Sequence, residues 1–189
     1  MSGKGMKLGI VGVLLSGIVA LAFASLVMAQ GDSEEITITA NTESVIGITL
    51  SQANLDLGNV ASNTEYLSEP PAEWCTITNT GNTSVDLKIK GEDAKHIDSY
   101  YRWNLSDDET NGEDEYVLWY HIAGDDVGSY TLITEGEITM QRIKDGSQSA
   151  LSLQSHDDHV QFGLKLLTPT HFHAGRPMEA NITISAVAN

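Results

Sequence analysis

Cys75-Thr76-Ile77-Thr78-Asn79-Thr80-Gly81-Asn82-Thr83-Ser84-Val85-Asp86-Leu87-Lys88-Ile89-Lys90 is the stretch whose reading decides the fold. Cys75 and Ile77 alternate with Thr76 and Thr78, and Val85, Leu87 and Ile89 alternate with Asp86, Lys88 and Lys90. A period of two sends each set to one face of a pleated strand, so both runs are half-buried β-strands with their charges in water. Between them, Asn79-Thr80-Gly81-Asn82 is a cluster of turn formers. The expectation is a hairpin.

The same period recurs outward in both directions. Ile36, Ile38 and Ala40 alternate with Thr37 and Thr39, and Ile46, Ile48 and Leu50 follow the polar break Asn41 to Ser44. Leu55 and Leu57 precede Gly58. Glu115 to Ala123 is apolar on both faces through Tyr116, Val117, Leu118, Trp119, Tyr120 and Ile122, which marks a central strand. Beyond the Asp- and Gly-rich turn Gly124 to Gly128, Tyr130, Leu132 and Ile133 begin another strand. Val160, Phe162, Leu164 and Leu166 interleave with Gln161, Gly163 and Lys165, and the closing strand sets Ile182, Ile184 and Ala186 against Asn181, Thr183 and Ser185. Pro70-Pro71 and Pro169 fall between strands, where a missing donor costs nothing. No helical period follows the leader. The expected fold is all-β, a two-sheet immunoglobulin-like or jelly-roll sandwich of about nine strands after an N-terminal apolar helix.

That helix is the run Leu8 to Met28, uncharged and preceded by Lys4 and Lys7. It is the pattern of an export signal, with Val27 and Ala29 supplying the small residues for cleavage before Gln30. Its length also approaches the roughly 20 residues that span a bilayer, so residues 1–29 read either as a signal peptide or as a membrane anchor. Residues 30–44 form an N-terminal strand region and residues 45–189 one β-sandwich domain, long enough to bury its own core.

The chain has 10 Lys and Arg against 26 Asp and Glu, a net charge of −16; without Lys4 and Lys7 the balance is 8 against 26, or −18. Such a charge keeps the protein soluble and argues against nucleic acid as a partner. The membrane is reached only through the apolar leader. Cys75 is the only cysteine, so the fold stands without an internal disulfide, and the residue reads as a small buried apolar group.

Candidate sites are few. Asp107, Glu109, Asn111 and Gly112 match the start of a calcium loop, with Asp114 or Glu115 as further oxygen donors, but Leu118 stands where the helix-flanked loop needs a bidentate Glu. Calcium is thus the one cofactor the sequence suggests; otherwise none is expected. His156 and His159 flank two aspartates, while His171 and His173 lie one residue apart. A transition metal needs both pairs to converge. Cys75 lacks the histidines of a copper site, and no Ser stands in a Gly-flanked elbow, so the chain is not expected to be an enzyme. Asn82, Asn104 and Asn181 each open an Asn-x-Ser/Thr glycosylation sequence, the first two in expected turns. Trp74, Trp103 and Trp119 read as core rather than as a sugar platform.

Leu55-Asp56-Leu57-Gly58-Asn59-Val60, Ile77-Thr78-Asn79-Thr80-Gly81-Asn82, Leu164-Lys165-Leu166-Leu167-Thr168-Pro169 and Asn181 to Ala186 together resemble exported bacterial and archaeal immunoglobulin-like proteins. The chain is most similar to camelysin and TasA-type biofilm fibre proteins and to archaeal bundling pili. That resemblance implies a strand at the first stretch, a hairpin turn at the second, and closing strands at the last two. It also implies an extracellular or cell-surface homopolymer built by donor-strand exchange, in which one subunit's first strand completes its neighbour's sandwich. The donor strand would be Ile36, Ile38 and Ala40; the alternative is that this strand stays in its own sheet. Two other readings are a surface adhesive or ligand-binding module, calcium-dependent if the acidic loop is used, and an archaeal type IV pilin-like subunit. The pilin reading rests on Lys4-Gly5 before the apolar helix and places Lys7 inside the polymerising segment.

Overall fold

The computed structural model describes residues 43–68, 73–96, 100–173 and 177–189. The leader and the expected strand Ile36 to Ala40 lie outside the described residues. The compact unit Ser44–Asn189 is all-β, with no helix among the described residues. In chain order its strands are β1 (Ile48–Leu50), β2 (Glu65–Leu67), β3 (Cys75–Asn79), β4 (Val85–Gly91), β5 (Ala94–His96), β6 (Arg102–Leu105), β7 (Glu115–Ile122) and β8 (Thr131–Ile133). The remainder are β9 (Ile138–Thr139), β10 (Gln141–Lys144), β11 (Ser147–Ala150), β12 (Ser152–Leu153), β13 (His159–Leu167), β14 (Met178–Glu179) and β15 (Ile182–Ala188).

A nine-stranded sheet runs β1-β3-β13-β7-β6-β5-β14, with β2 added to β13 and β8 to β7. A four-stranded sheet runs β12-β4-β15, with β9 added to β4, and β10 pairs with β11 alone. Their apolar faces share one core: Cys75 and Ile77 of β3, Leu118, Tyr120 and Ile122 of β7, and Phe162 of β13 pack with Val85, Leu87 and Ile89 of β4. Sharing a core in this way makes the fold sandwich-like. As expected from its double apolarity, β7 is a central strand, bonded on one edge to β13 and on the other to β6 and β8.

Two expectations are corrected. β3 and β4 do not form a hairpin: β3 pairs with β1 and β13, β4 with β9, β12 and β15, so the chain between them crosses from one sheet to the other. Both runs have one buried face, and a crossing lets the two buried faces oppose each other across the core. Leu55 to Val60 is not a strand; Gly58 has a φ of 62° and donates its amide to the Asp56 carboxylate at 2.8 Å, a local turn.

Candidate functional site

The crossing from β3 to β4 is an arch organised by Asn79, whose side chain is wholly buried. Its Nδ2 donates to the carbonyls of Thr83 at 2.9 Å, Gln154 at 2.8 Å and Leu153 at 3.4 Å, and its Oδ1 accepts the Gly81 amide at 2.9 Å. One side chain therefore satisfies backbone groups from the arch and from the end of β12. The segment entering β1 lies on one flank of this arch. Thr80 N donates to Gly47 O at 2.9 Å, Asn82 N to Val45 O at 3.0 Å, Val45 N to Asn82 Oδ1 at 2.7 Å, and the hydroxyls of Ser44 and Thr83 meet. These contacts extend the Ile48–Asn79 register without a break from β1 to Ser44.

At Ser84 the neighbour on that flank changes. Asn189 N donates to Ser84 O at 3.2 Å, and from there β15 follows β4 from Ala188 opposite Val85 to Ile182 opposite Gly91. The opposite flank holds β12 and β13, joined by the short connection 154–158, with His156 N donating to Gly81 O. Thus β1 and β15, in different sheets, border the same side of the core, and the seam between them is the candidate site.

The seam is open. Among the described residues β1 pairs only with β3, and β15 only with β4. Leu50 stands opposite the wholly buried Ile77 and shares its face, yet is 43% exposed. Ile182, Ile184 and Ala186 pack against the core but are only half-buried, whereas Leu87 and Ile89 opposite Ala186 and Ile184 are 0% exposed. Val45, Ile46 and Val187 are exposed nearby in sequence. These inward-facing apolar side chains stay half-wet, with no further strand beside them among the described residues.

Backbone polarity agrees. Leu87 donates its amide to Leu151 O and accepts Met140 N, both away from β15. Alternation then directs Asp86, Lys88 and Lys90 at β15, where Val187, Ser185 and Thr183 meet them. The amides and carbonyls of Ile182, Ile184, Ala186 and Ala188 accordingly point to the free edge, a ready template for another strand.

The other residues singled out from sequence are dispersed. The donor residues Ile36, Ile38 and Ala40 lie outside the described residues. Asp107 and Glu109 are exposed, while Asn111 uses its Nδ2 to bind Thr168 O at 2.6 Å and Asn63 Oδ1 at 3.0 Å, tying loops together. Asp114 sits at a φ of 51° and donates its amide to His171 O. Asp108, not singled out, caps its own turn by accepting the amide and hydroxyl of Thr110, which hold its carboxyl below the usual range. Among the described residues no three His, Cys, Asp or Glu are grouped to hold a metal ion. His159 opens β13 and His171 follows its far end, beside Glu113, so a strand of nine residues, about 26 Å at 3.3 Å per step, separates the two pairs.

Asn82, Asn104 and Asn181 are all exposed, but Asn104 lies on β6 rather than in a turn. Cys75 is buried and free, as expected. Trp103 and Trp119 are buried and Trp74 half-buried. Trp74 lies over Gly163, where a Cβ would meet its Nε1 at 2.7 Å. Next to it, Lys165 sets its ammonium 4.1 Å from the Trp119 ring centre and 4.7 Å from that of Tyr130. With Glu65 and Glu109, Lys165, Trp119 and Tyr130 line a shallow depression of about 340 Å³, a cluster that period-two reading does not reveal because its members come from five separate stretches. A second depression of about 420 Å³ is lined by Asp107, Glu115 and Glu135. Among the described residues no helix is long and apolar enough to cross a membrane.

Comparison with known protein families, with curated proteins and with solved structures gives no match, so the chain's likenesses rest on its own residues.

Proposed function

We propose that this chain is a non-enzymatic structural subunit of an extracellular filament or surface assembly, in which residues 30–44 of one copy supply the strand that a neighbour lacks. The observation that carries the reading is the seam: inward-facing Leu50, Ile182, Ile184 and Ala186 left half-wet beside a strand edge that nothing among the described residues pairs with. The sequence upstream of Ser44 has the matching pattern, Ile36 and Ile38 on one face and Thr37 and Thr39 on the other. Burying two isoleucines is worth about 2 kcal/mol each, before backbone bonds are counted. In this reading the two main sheets form an immunoglobulin-like or jelly-roll sandwich of the kind found in TasA-type fibre proteins and bundling pili, and residues 1–29 direct export or anchor the chain.

Removal of residues 30–42 tests the proposal while sparing the Ser44–Thr83 contact. Negative-stain electron microscopy should find fibres of the chain that begins at Gln30 and only monodisperse particles of the shortened one. Fibres that persist after the deletion would show that another surface joins the subunits.

A further inference from the structure

The outer face of the nine-stranded sheet, turned away from the shared core, carries a polar and aromatic cluster remote from the seam. Tyr116, Leu118, Tyr120 and Ile122 of β7 face the core, so alternation sends Val117, Trp119 and His121 outward. Directly opposite Trp119 stand Lys165 of β13 and Leu132 of β8, and opposite Lys165 stands Leu67 of β2. These four residues form one row across four strands, and Tyr130 joins it from the start of β8, its ring 5.4 Å from that of His121.

Lys165 is held in place within this row. Its side chain is 18% exposed, and two ring faces attract its ammonium, at 4.1 Å from the Trp119 centre and 4.7 Å from the Tyr130 centre. Glu65 adds a carboxylate oxygen at 3.7 Å, close enough for charge attraction but beyond a hydrogen bond. Among the described residues, therefore, the N–H groups of this ammonium make no ordinary hydrogen bond, and neither does the Trp119 indole N–H or the Tyr130 hydroxyl. No buried side-chain nitrogen or oxygen among the described residues lacks a partner, so all three donors open to solvent. The three residues line the depression of about 340 Å³ together with Glu65 and Glu109. That volume stands at the small end of the roughly 300–1,000 Å³ typical of ligand sites.

The mixture of groups selects the occupant. Two carboxylates in the depression and a net charge of −16 turn an anion away. A cation would seek the ring faces, which Lys165 already covers. A neutral molecule rich in hydroxyls suits both kinds of group, because each hydroxyl accepts from an N–H donor while giving its own proton to a carboxylate. We propose that this depression binds a neutral sugar ring, whose hydroxyls bridge Lys165, Trp119 and Tyr130 to the carboxylates of Glu65 and Glu109. The site lies outside the seam, and its use does not depend on how subunits join. One ring in so shallow a place has an expected dissociation constant on the order of 1 mM.

Saturation-transfer difference NMR detects binding of that strength whether the chain is monomeric or assembled. The full chain is mixed in turn with methyl β-glucoside, methyl β-galactoside, methyl α-mannoside, N-acetylglucosamine and cellobiose, and separately with glucuronate and tetramethylammonium. At least one neutral sugar should show saturable transfer, and cellobiose tests whether the ring is accepted as the end of a chain. Transfer to that sugar should fall at least tenfold in Lys165→Met and at least threefold in Glu109→Ala, whose exposed position leaves folding intact if Lys165→Met melts early. Absence of saturable transfer to every neutral sugar would overturn the proposal. So would transfer that survives Glu109→Ala and a folded Lys165→Met unchanged, or stronger transfer to glucuronate or tetramethylammonium than to any neutral sugar.

Discussion

Asn79 shows how much of the arch depends on one amide. Asn79→Leu keeps the branched shape but strands the Gly81 amide and the carbonyls of Thr83, Leu153 and Gln154, so it should cost about 3 kcal/mol in a denaturant titration. Gly81 is fixed for a different reason: a Cβ there would stand 2.3 Å from Val45 O and 3.0 Å from Gly47 N, both backbone atoms that cannot swing aside. Gly81→Ala should therefore loosen the Ser44–Gly47 segment more than the core. Hydrogen exchange would detect this as faster loss of the Thr80 and Asn82 amides with little change in β7. Tyr116 supplies a pH response. Burial, with Asp93, Glu135 and Glu92 near it, pushes its hydroxyl well above the usual 10.0, while that hydroxyl donates to Glu92 O at 2.6 Å. The folded state thus favours the neutral phenol. Its contribution is intact below pH about 10, where the unfolded chain also holds the proton, and declines as pH rises beyond that. Melting temperatures measured from pH 8 to 12 should fall above pH 10, and the Tyr116→Phe variant should fall less steeply.

At the scale of elements, a legible alternation did not always reveal a strand's partner. β4, β7, β13 and β15 were readable because each has seven residues or more and a clear apolar set. The pairing of β3 and β4 was not, because the turn residues Asn79 to Asn82 serve a sheet-crossing arch as well as a hairpin, and only the buried Asn79 side chain decides between them. Strands of two to four residues, such as β2, β5, β9 and β14, are too short for a period to register. The hairpin β10–β11 did carry a signal, Asp145-Gly146, both at positive φ as a two-residue turn requires. What fixes it to the domain lies far off in sequence: Asp125, its side chain 3% exposed, accepts Arg142 Nε at 3.2 Å and Ile143 N at 2.7 Å, and Arg142 also reaches Ala123 O. Arg142→Ala removes the cation from that carboxylate, and because the Arg142 side chain is itself 41% exposed a loss of about 1 kcal/mol is expected in a denaturant titration. The seam was not legible in the sequence: that β1 and β15 border the same side of the core follows only from the arch contacts.

For the whole molecule, the net charge of −16 and the proposed polymerisation pull in opposite directions. Joining copies brings like charges together, and salt screens them over about 10 Å at 0.1 M. Light scattering should therefore report faster and more extensive assembly at 0.3 M than at 0.02 M sodium chloride, with apolar burial in the seam providing the attraction that remains. Three of the cations, Lys88, Arg142 and Lys165, are already matched to Glu137, Asp125 and Glu65. The central claim is that the outward amides of β15 have no strand beside them until a neighbour arrives. Residue-resolved hydrogen exchange of Ile184 and Ala186, compared between isolated monomers and assembled material, measures this directly. The account predicts rapid exchange in the monomer and slowing of at least a hundredfold on assembly, while equally slow exchange in both would mean that the edge was never open.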